Sequence, residues 1–218
     1  TATRRNGEFV LGGTKCYVPL AAEAQHILVY AKCEAGTRAF IVPQGTPGLT
    51  IVEREKNMGI KALATYELTL DNCRVPAEAL LDGDMSGILN RARVALSALA
   101  VGVGRAALEY ARDYAKERRA FGVAIAQKQA IAFMLAEMAI EVDAARLLAW
   151  EAAWKLDRKE DATREACLAK SYADTMAMLV TDYGVQVMGG HGYVRDNPVE
   201  LWFRNGRGFP TFTGMAIV

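Results

Sequence analysis

The sequence predicts an α+β chain, with a small antiparallel β-sheet or barrel first and an up-down helical bundle after it. Three observations lead there. Short β-rich runs separated by turn residues fill the segment from Thr1 to about Asp82. No helical pattern interrupts them, which argues against a β-α-β unit. After Pro76 the apolar residues recur every three or four positions, the period of a helix. A chain of 218 residues can bury a sizeable core and hold one or two domains.

Six strands are expected in order. They are Glu8-Phe9-Val10-Leu11, Lys15-Cys16-Tyr17-Val18, His26 to Ala31, Ala39-Phe40-Ile41-Val42, Leu49-Thr50-Ile51-Val52 and Tyr66 to Leu70. Asn6-Gly7, Gly12-Gly13, Gly36 and Pro47-Gly48 are the expected turns between them. A first helix is expected from Ile88 to Ala120, with Leu89, Val94, Leu96, Leu99 and Val103 as its apolar stripe. It breaks at Phe121-Gly122. A second runs from Gln129 to Leu156, and its stripe Ile131, Leu135, Met138, Val142, Ala145 and Leu148 is spaced like a heptad repeat. Asp161 is placed to cap a third, Ala162 to Met188, which carries Cys167, Ala173, Met176, Val180 and Val187 inward. Another helix starts at Asn197-Pro198-Val199-Glu200. Long helices with short connections make a bundle, and Met134, Met138, Met176 and Met178 read as its filler. The expected domains are 1–84, incomplete at its start, and 85–218, incomplete at its end.

Composition excludes several classes of function. A formal net charge of +1 gives no electrostatic reason to expect nucleic acid or an anionic membrane surface. Charged residues are expected to interrupt the apolar runs too early for a membrane span, and Thr1-Ala2-Thr3-Arg4-Arg5 does not open a signal peptide. Cys16, Cys33, Cys73 and Cys167 lack the spacing of a zinc or redox motif and read as small buried hydrophobes in a reducing compartment. With only His26 and His191 in the chain, no metal site is expected.

The stretch Gln186-Val187-Met188-Gly189-Gly190-His191-Gly192-Tyr193 carries the strongest chemical signal. Paired glycines at a helix exit permit positive φ and let backbone approach something flat or phosphorylated. Arg118-Arg119-Ala120-Phe121-Gly122 and Gln129 add a cation, an aromatic ring and an amide. Together they offer groups that suit a flat or phosphorylated ligand.

Taken in order, these motifs resemble the middle and C-terminal domains of the acyl-CoA dehydrogenase family. Gly13-Thr14-Lys15-Cys16-Tyr17-Val18 is similar to the family's N-G-x-K-x-W/Y-I-T, and Pro47-Gly48-Leu49, Asn57-Met58-Gly59-Ile60-Lys61 and Cys73-Arg74-Val75-Pro76 follow in step. The helical half adds Arg118-x-x-Phe121-Gly122, Gln129, Leu135-Ala136-Glu137-Met138, Gln186-x-x-Gly189-Gly190-x-Gly192-Tyr193 and Pro198-Val199-Glu200-x-x-x-Arg204. The resemblance implies FAD as cofactor, contacted by Tyr17, Arg118, Phe121, Gln129, Gln186, Gly189 and Gly190, with the last six reaching across to a neighbouring subunit. It implies an acyl-CoA substrate near Arg93, Thr213 and Gly214, and oxidation of its α,β bond with hydride transfer to the flavin. It also implies a dimer or tetramer assembled through the bundle, an electron-transfer flavoprotein as redox partner, and a cytoplasmic location (the mitochondrial matrix in a eukaryote).

Three departures fall at the reacting centre. Thr213 stands where most of the family carries its glutamate base, and Ala92 stands at the alternative base position beside Arg93. An unaided hydroxyl has a pKa far too high for that role. Pro19 replaces a threonine that bonds the flavin in the family, and proline has neither hydroxyl nor N–H. A catalytically impaired subunit, binding FAD and acyl-CoA as a structural partner in a hetero-oligomer, is therefore the alternative reading.

Overall fold

A computed structural model describes residues 1–83 and 85–212. Among the described residues the chain divides into two compact units, one built from residues 1–57 and 61–85, the other from Met58–Ile60 and residues 86–212.

The first unit is antiparallel throughout. Strands β1 (Ala2–Arg5), β2 (Glu8–Pro19), β5 (Leu49–Arg54) and β6 (Thr65–Pro76) form one sheet in the order β1-β2-β6-β5, and β3 (His26–Cys33) with β4 (Gly36–Pro43) forms a separate hairpin. Alternation explains the core: Ile27, Val29 and Ala31 of β3 are buried, and their neighbours face out. Leu11, Phe40, Val42, Leu68 and Val75 complete one cluster from both sheets, with Phe9 edge-on to Phe40 at 5.0 Å between ring centroids. Asn6 and Gly7 both take positive φ (50° and 85°), the two-residue turn that suits a twisted hairpin.

Gly12-Gly13 is not a turn. Both glycines lie inside β2, whose pairing with β6 shifts register between Leu11 and Gly13, where Gly13 has φ 130°. The glycine pair bends one long strand, as bulges do. The two expected strands are therefore one.

The second unit is helical. Its elements are α1 (Met85–Glu117), the two-residue strands β7 (Arg119–Ala120) and β8 (Val123–Ala124), α2 (Gln129–Asp157), α3 (Thr163–Met188), the single turn α4 (Gly190–Tyr193) and α5 (Val199–Gly206). The inward face of α1 is not the expected leucine stripe. Ala100, Val101, Ala107, Ala111 and Ala115 are buried, whereas Leu99 is 61% exposed. Small residues let the helices approach closely: a Cβ added to Gly104 would sit 2.6 Å from Met176 Sδ, so Met176 fills the notch that glycine leaves. Met138, Val142 and Ala145 of α2 and Ala173, Met176, Val180 and Val187 of α3 are buried as expected. Cys167 is exposed instead of inward, because Ala166, Ala169 and Lys170 occupy the buried face of that turn; of the four cysteines only Cys73 is fully buried.

By length and composition α1 is apolar enough to cross a membrane, contrary to the reading that charges interrupt every apolar run. Its alanine face instead packs with α2 and α3 in one core.

Asp161 serves α3 from one residue outside the cap position, accepting the Thr163 N–H at 3.0 Å; the Thr163 side chain and backbone hold its carboxyl below the ordinary value. Glu165, in the first turn of α3, is 7% exposed and takes Lys155 Nζ at 2.8 Å, which holds its carboxyl below the ordinary 4.5. Near pH 4.5 this carboxyl therefore binds less proton in the folded chain than in the unfolded one. Stability from this pair is complete above 4.5 and declines as pH falls through the lower folded value. Glu165→Gln should flatten that part of the acid limb, as read by urea unfolding at a series of pH values.

One residue triplet explains why two separated motifs occur together. Ile60 N–H donates to Asn205 Oδ1 at 2.7 Å, and Arg204 donates to the Met58 carbonyl at 3.0 Å. A Cβ on Gly59 would lie 1.9 Å from the Arg204 carbonyl oxygen. Glu200 in turn grips Arg204 at 2.8 Å. Gly59→Ala is expected to cost at least about 2 kcal/mol through overpacking, lowering the melting temperature by about 4–8 °C. Gly102→Ala, on α1 with open space around it, should instead stabilise by about 0.5–1 kcal/mol. Thermal unfolding followed by circular dichroism separates the two.

Candidate functional site

Arg118 continues the last turn of α1, its N–H donating to the Tyr114 carbonyl at 2.8 Å. The chain then reverses through β7 and β8, where Arg119 pairs with Ala124 and Ala120 with Val123. A two-residue reversal needs positive φ at both central positions, and Phe121 and Gly122 have φ 55° and 82°. The left-handed region is unfavourable for a bulky side chain. The turn nonetheless carries Phe121, 94% exposed, with Lys128 Nζ 5.6 Å from the ring centroid. The ring thus combines a left-handed backbone with almost full exposure. Gln129 opens α2 and is exposed.

The second part of the site lies where α3 stops. Gly189, with φ 56° and ψ −132°, takes a conformation open to glycine, and its N–H returns to the Gln186 carbonyl at 3.1 Å. Gly192 donates to the Gly189 carbonyl at 2.9 Å and packs so closely that a Cβ would meet the Val185 carbonyl oxygen at 2.5 Å. The space around Gly189 and Gly190 is open, and both are exposed, as is Gln186.

The two parts share one end of the bundle. α1 finishes there, α2 starts there and α3 finishes there, and the Tyr114 hydroxyl lies 3.3 Å from His191 Nδ1. The structure thus places Arg118, Phe121, Gln129, Gln186, Gly189 and Gly190 at the same end of the bundle. Arg118 makes no ion pair among the described residues. A free guanidinium, an exposed ring, an amide and uncrowded glycine backbone are a donor set suited to a dinucleotide.

Arg93 is not at this end. It lies 25 residues back along the helix, roughly 37 Å away at 1.5 Å per residue, where its guanidinium donates to Asn90 Oδ1 at 3.3 Å. Ala92 precedes it on α1. In the β unit, Tyr17 is exposed and left-handed (φ 55°) at a second irregularity of β2, and its N–H donates to Glu55 Oε1 at 3.2 Å. Pro19 pairs with Thr65 at the end of that strand. Thr213 and Gly214 lie outside the described residues. Among the described residues no three His, Cys, Asp or Glu side chains cluster as a metal ligand set. Sequence reasoning named Asn197 only as a helix start and did not single out Tyr114, which touches the glycine turn, or Tyr110, which reaches it through Asn197; the only signal was the four-residue spacing of the tyrosines.

Comparison with known proteins assigns both units. Residues 1–73 match the acyl-CoA dehydrogenase middle domain and residues 83–216 the acyl-CoA dehydrogenase C-terminal domain. The mitochondrial short-chain specific acyl-CoA dehydrogenase of Bos taurus is 38% identical over 219 residues, covering 95% of this chain and 53% of that protein. Caffeyl-CoA reductase-Etf complex subunit CarC of Acetobacterium woodii is 35% identical over 229 residues, covering 100% of this chain and 60% of that one. The structure of butyryl-CoA dehydrogenase from Megasphaera elsdenii superposes with a TM-score of 0.86 at 33% identity, over 99% of this chain and 59% of its own. The chain therefore spans between half and two thirds of these relatives' lengths. With two family domains matched in order along nearly its whole length, this chain belongs to the acyl-CoA dehydrogenase family.

Proposed function

We propose that this chain binds FAD through the end of its helical bundle and serves α,β-oxidation of an acyl-CoA thioester. The observation that carries the reading is the convergence of Arg118, Phe121, Gln129, Gln186, Gly189 and Gly190 at one exposed end. Arg118 would face the pyrophosphate, Phe121 a ring, and the glycine backbone the part of the dinucleotide that comes closest. When bound, FAD supplies the hydride acceptor. As the resemblance implies, these bundle-end groups would reach FAD held mostly by a neighbouring subunit; Tyr17 is a separate candidate for a flavin wall, and Arg93, Thr213 and Gly214 are separate candidates for the acyl-CoA side, the Thr213 N–H serving the thioester oxygen.

A second reading has its own support. With Thr213 and Ala92 at the two base positions, neither site offers a carboxylate to take the α-proton. The chain would then bind FAD and acyl-CoA as an impaired or structural subunit of a hetero-oligomer. Purified protein incubated with FAD should retain absorbance near about 450 nm after gel filtration. Anaerobic addition of acyl-CoAs then divides the readings: bleaching at an ordinary rate supports the enzyme, and stable colour supports the impaired subunit. Protein that stays colourless sinks both.

We also propose self-association through α2, as a dimer or tetramer. Phe133, Ile140, Leu147 and Trp154 recur every seven residues and are exposed, with Trp150 beside them. Leu147→Glu should shift sedimentation toward the monomer; unchanged sedimentation would place the interface elsewhere. An electron-transfer flavoprotein as electron acceptor, and the cytoplasm or mitochondrial matrix as location, complete the proposal.

A further inference from the structure

Two side chains on α1 reach the glycine-bearing turn beyond α3, Tyr114 directly and Tyr110 through Asn197. Tyr110 and Tyr114 are four residues apart and share a helix face. The Tyr110 hydroxyl donates to Asn197 Oδ1 at 2.9 Å, and Asn197 Nδ2 donates to the His191 carbonyl, also at 2.9 Å. Tyr114 hydrogen-bonds the ring of His191 at 3.3 Å, the two rings lying 5.9 Å apart. The Tyr110 ring sits edge-on to Trp202 at 5.7 Å, and Trp202 packs on the buried helical core, so these contacts have a fixed root. The turn is closed at Gly192 by the Val185 carbonyl and open around Gly189 and Gly190. It is braced on one side and free on the other.

We propose that Tyr110, Asn197, Tyr114 and His191 form a clamp that pre-sets the Gln186–Gly190 backbone for a dinucleotide. They act as positioning residues, through the turn, with no ligand contact required of them. The inference rests on the FAD reading. Glycine loses more conformational freedom on ordering than any other residue. A turn of this composition left unbraced would lose affinity to the cost of ordering it at binding. Asn197 suits the role because its carboxamide accepts from Tyr110 with one atom and donates to the turn with the other.

Two variants test this. Asn197→Asp keeps the acceptor for Tyr110 and removes the donor to the His191 carbonyl; Tyr110→Phe removes the other link and keeps the ring against Trp202. Each should weaken FAD binding roughly five- to tenfold, the loss of one hydrogen bond, measured by quenching of flavin fluorescence. Amide hydrogens of residues 189–192 should exchange faster in the cofactor-free variants, and the cofactor-free melting temperature should stay at the wild-type value. Unchanged FAD affinity in both variants overturns the clamp whatever the exchange shows. A fall in melting temperature that accounts for the weaker binding overturns it too, since the contacts would then hold the bundle instead of the turn. Wild-type protein that binds no FAD sinks the cofactor reading, and the exchange comparison then decides separately whether these side chains brace the turn.

Discussion

Arg118→Met should weaken FAD binding about 10- to 150-fold while leaving the cofactor-free chain as stable as before. The first half follows from the value of a hydrogen bond to a charged group, about 1.5–3 kcal/mol, spread over one guanidinium on a phosphate. The second half follows from the position. Arg118 is exposed at the end of α1 and has no ion pair among the described residues, and such surface substitutions usually stay within about 0.5 kcal/mol. Arg118→Lys should recover only part of the loss, because an ammonium keeps the charge without the planar fork. Phe121→Asn separates the ring from the turn. Asparagine tolerates positive φ better than phenylalanine, so the hairpin should hold or gain stability while the packing surface disappears. Titration of the cofactor-free proteins with FAD, followed by fluorescence, reads all three. If Arg118→Met and Phe121→Asn both bind FAD as the wild type does, the bundle end is not the dinucleotide site.

How far the site was legible depends on how far apart its parts lie in sequence. Arg118, Phe121 and Gln129 sit within one helix-turn-helix stretch, so their proximity follows from local structure. Joining them to Gln186 and Gly189 needs only that three long helices alternate in direction, which their short connections imply. The Tyr110–Asn197 link was not legible, because its partners are 87 residues apart, Tyr110 belongs to no motif and Asn197 reads only as a helix start. The same distinction runs through the fold. Alternating strands such as Ile27-Leu28-Val29 declared their buried faces directly. Gly12-Gly13 did not, since a glycine pair permits a turn or a bulge equally and only the pairing with β6 decides. On α1 nearly every position is apolar or small, so the largest residues drew the eye. The buried face went instead to alanines that allow the helices to touch. The lock between Gly59 and α5 shows the reverse case, where two motifs read separately prove to be two sides of one contact.

Thr213→Glu should raise the rate of anaerobic flavin bleaching by acyl-CoA about 10²- to 10⁴-fold, the usual worth of a positioned general base. The reaction needs a carboxylate beside the carbon α to the thioester carbonyl. The oxygen takes that proton as the β-hydrogen leaves with its electron pair. A threonine hydroxyl has no accessible deprotonated form at neutral pH, so the native residue can orient but not abstract. Ala92→Glu is the necessary companion, since it restores a carboxylate at the other position the family uses, next to Arg93 on α1. The two variants differ in what they ask of the protein. Thr213→Glu relies on the chain beyond Phe212, which lies outside the described residues, whereas Ala92→Glu relies on a helix whose geometry is fixed. A gain from either one, with FAD affinity unchanged, would mean that binding and orientation survive and that the missing carboxylate alone limits turnover. A wild-type protein that already bleaches at the variant's rate would mean that some other group abstracts the proton. No gain from either variant, in protein that retains bound FAD, would place the defect in acyl-CoA binding and favour the structural subunit.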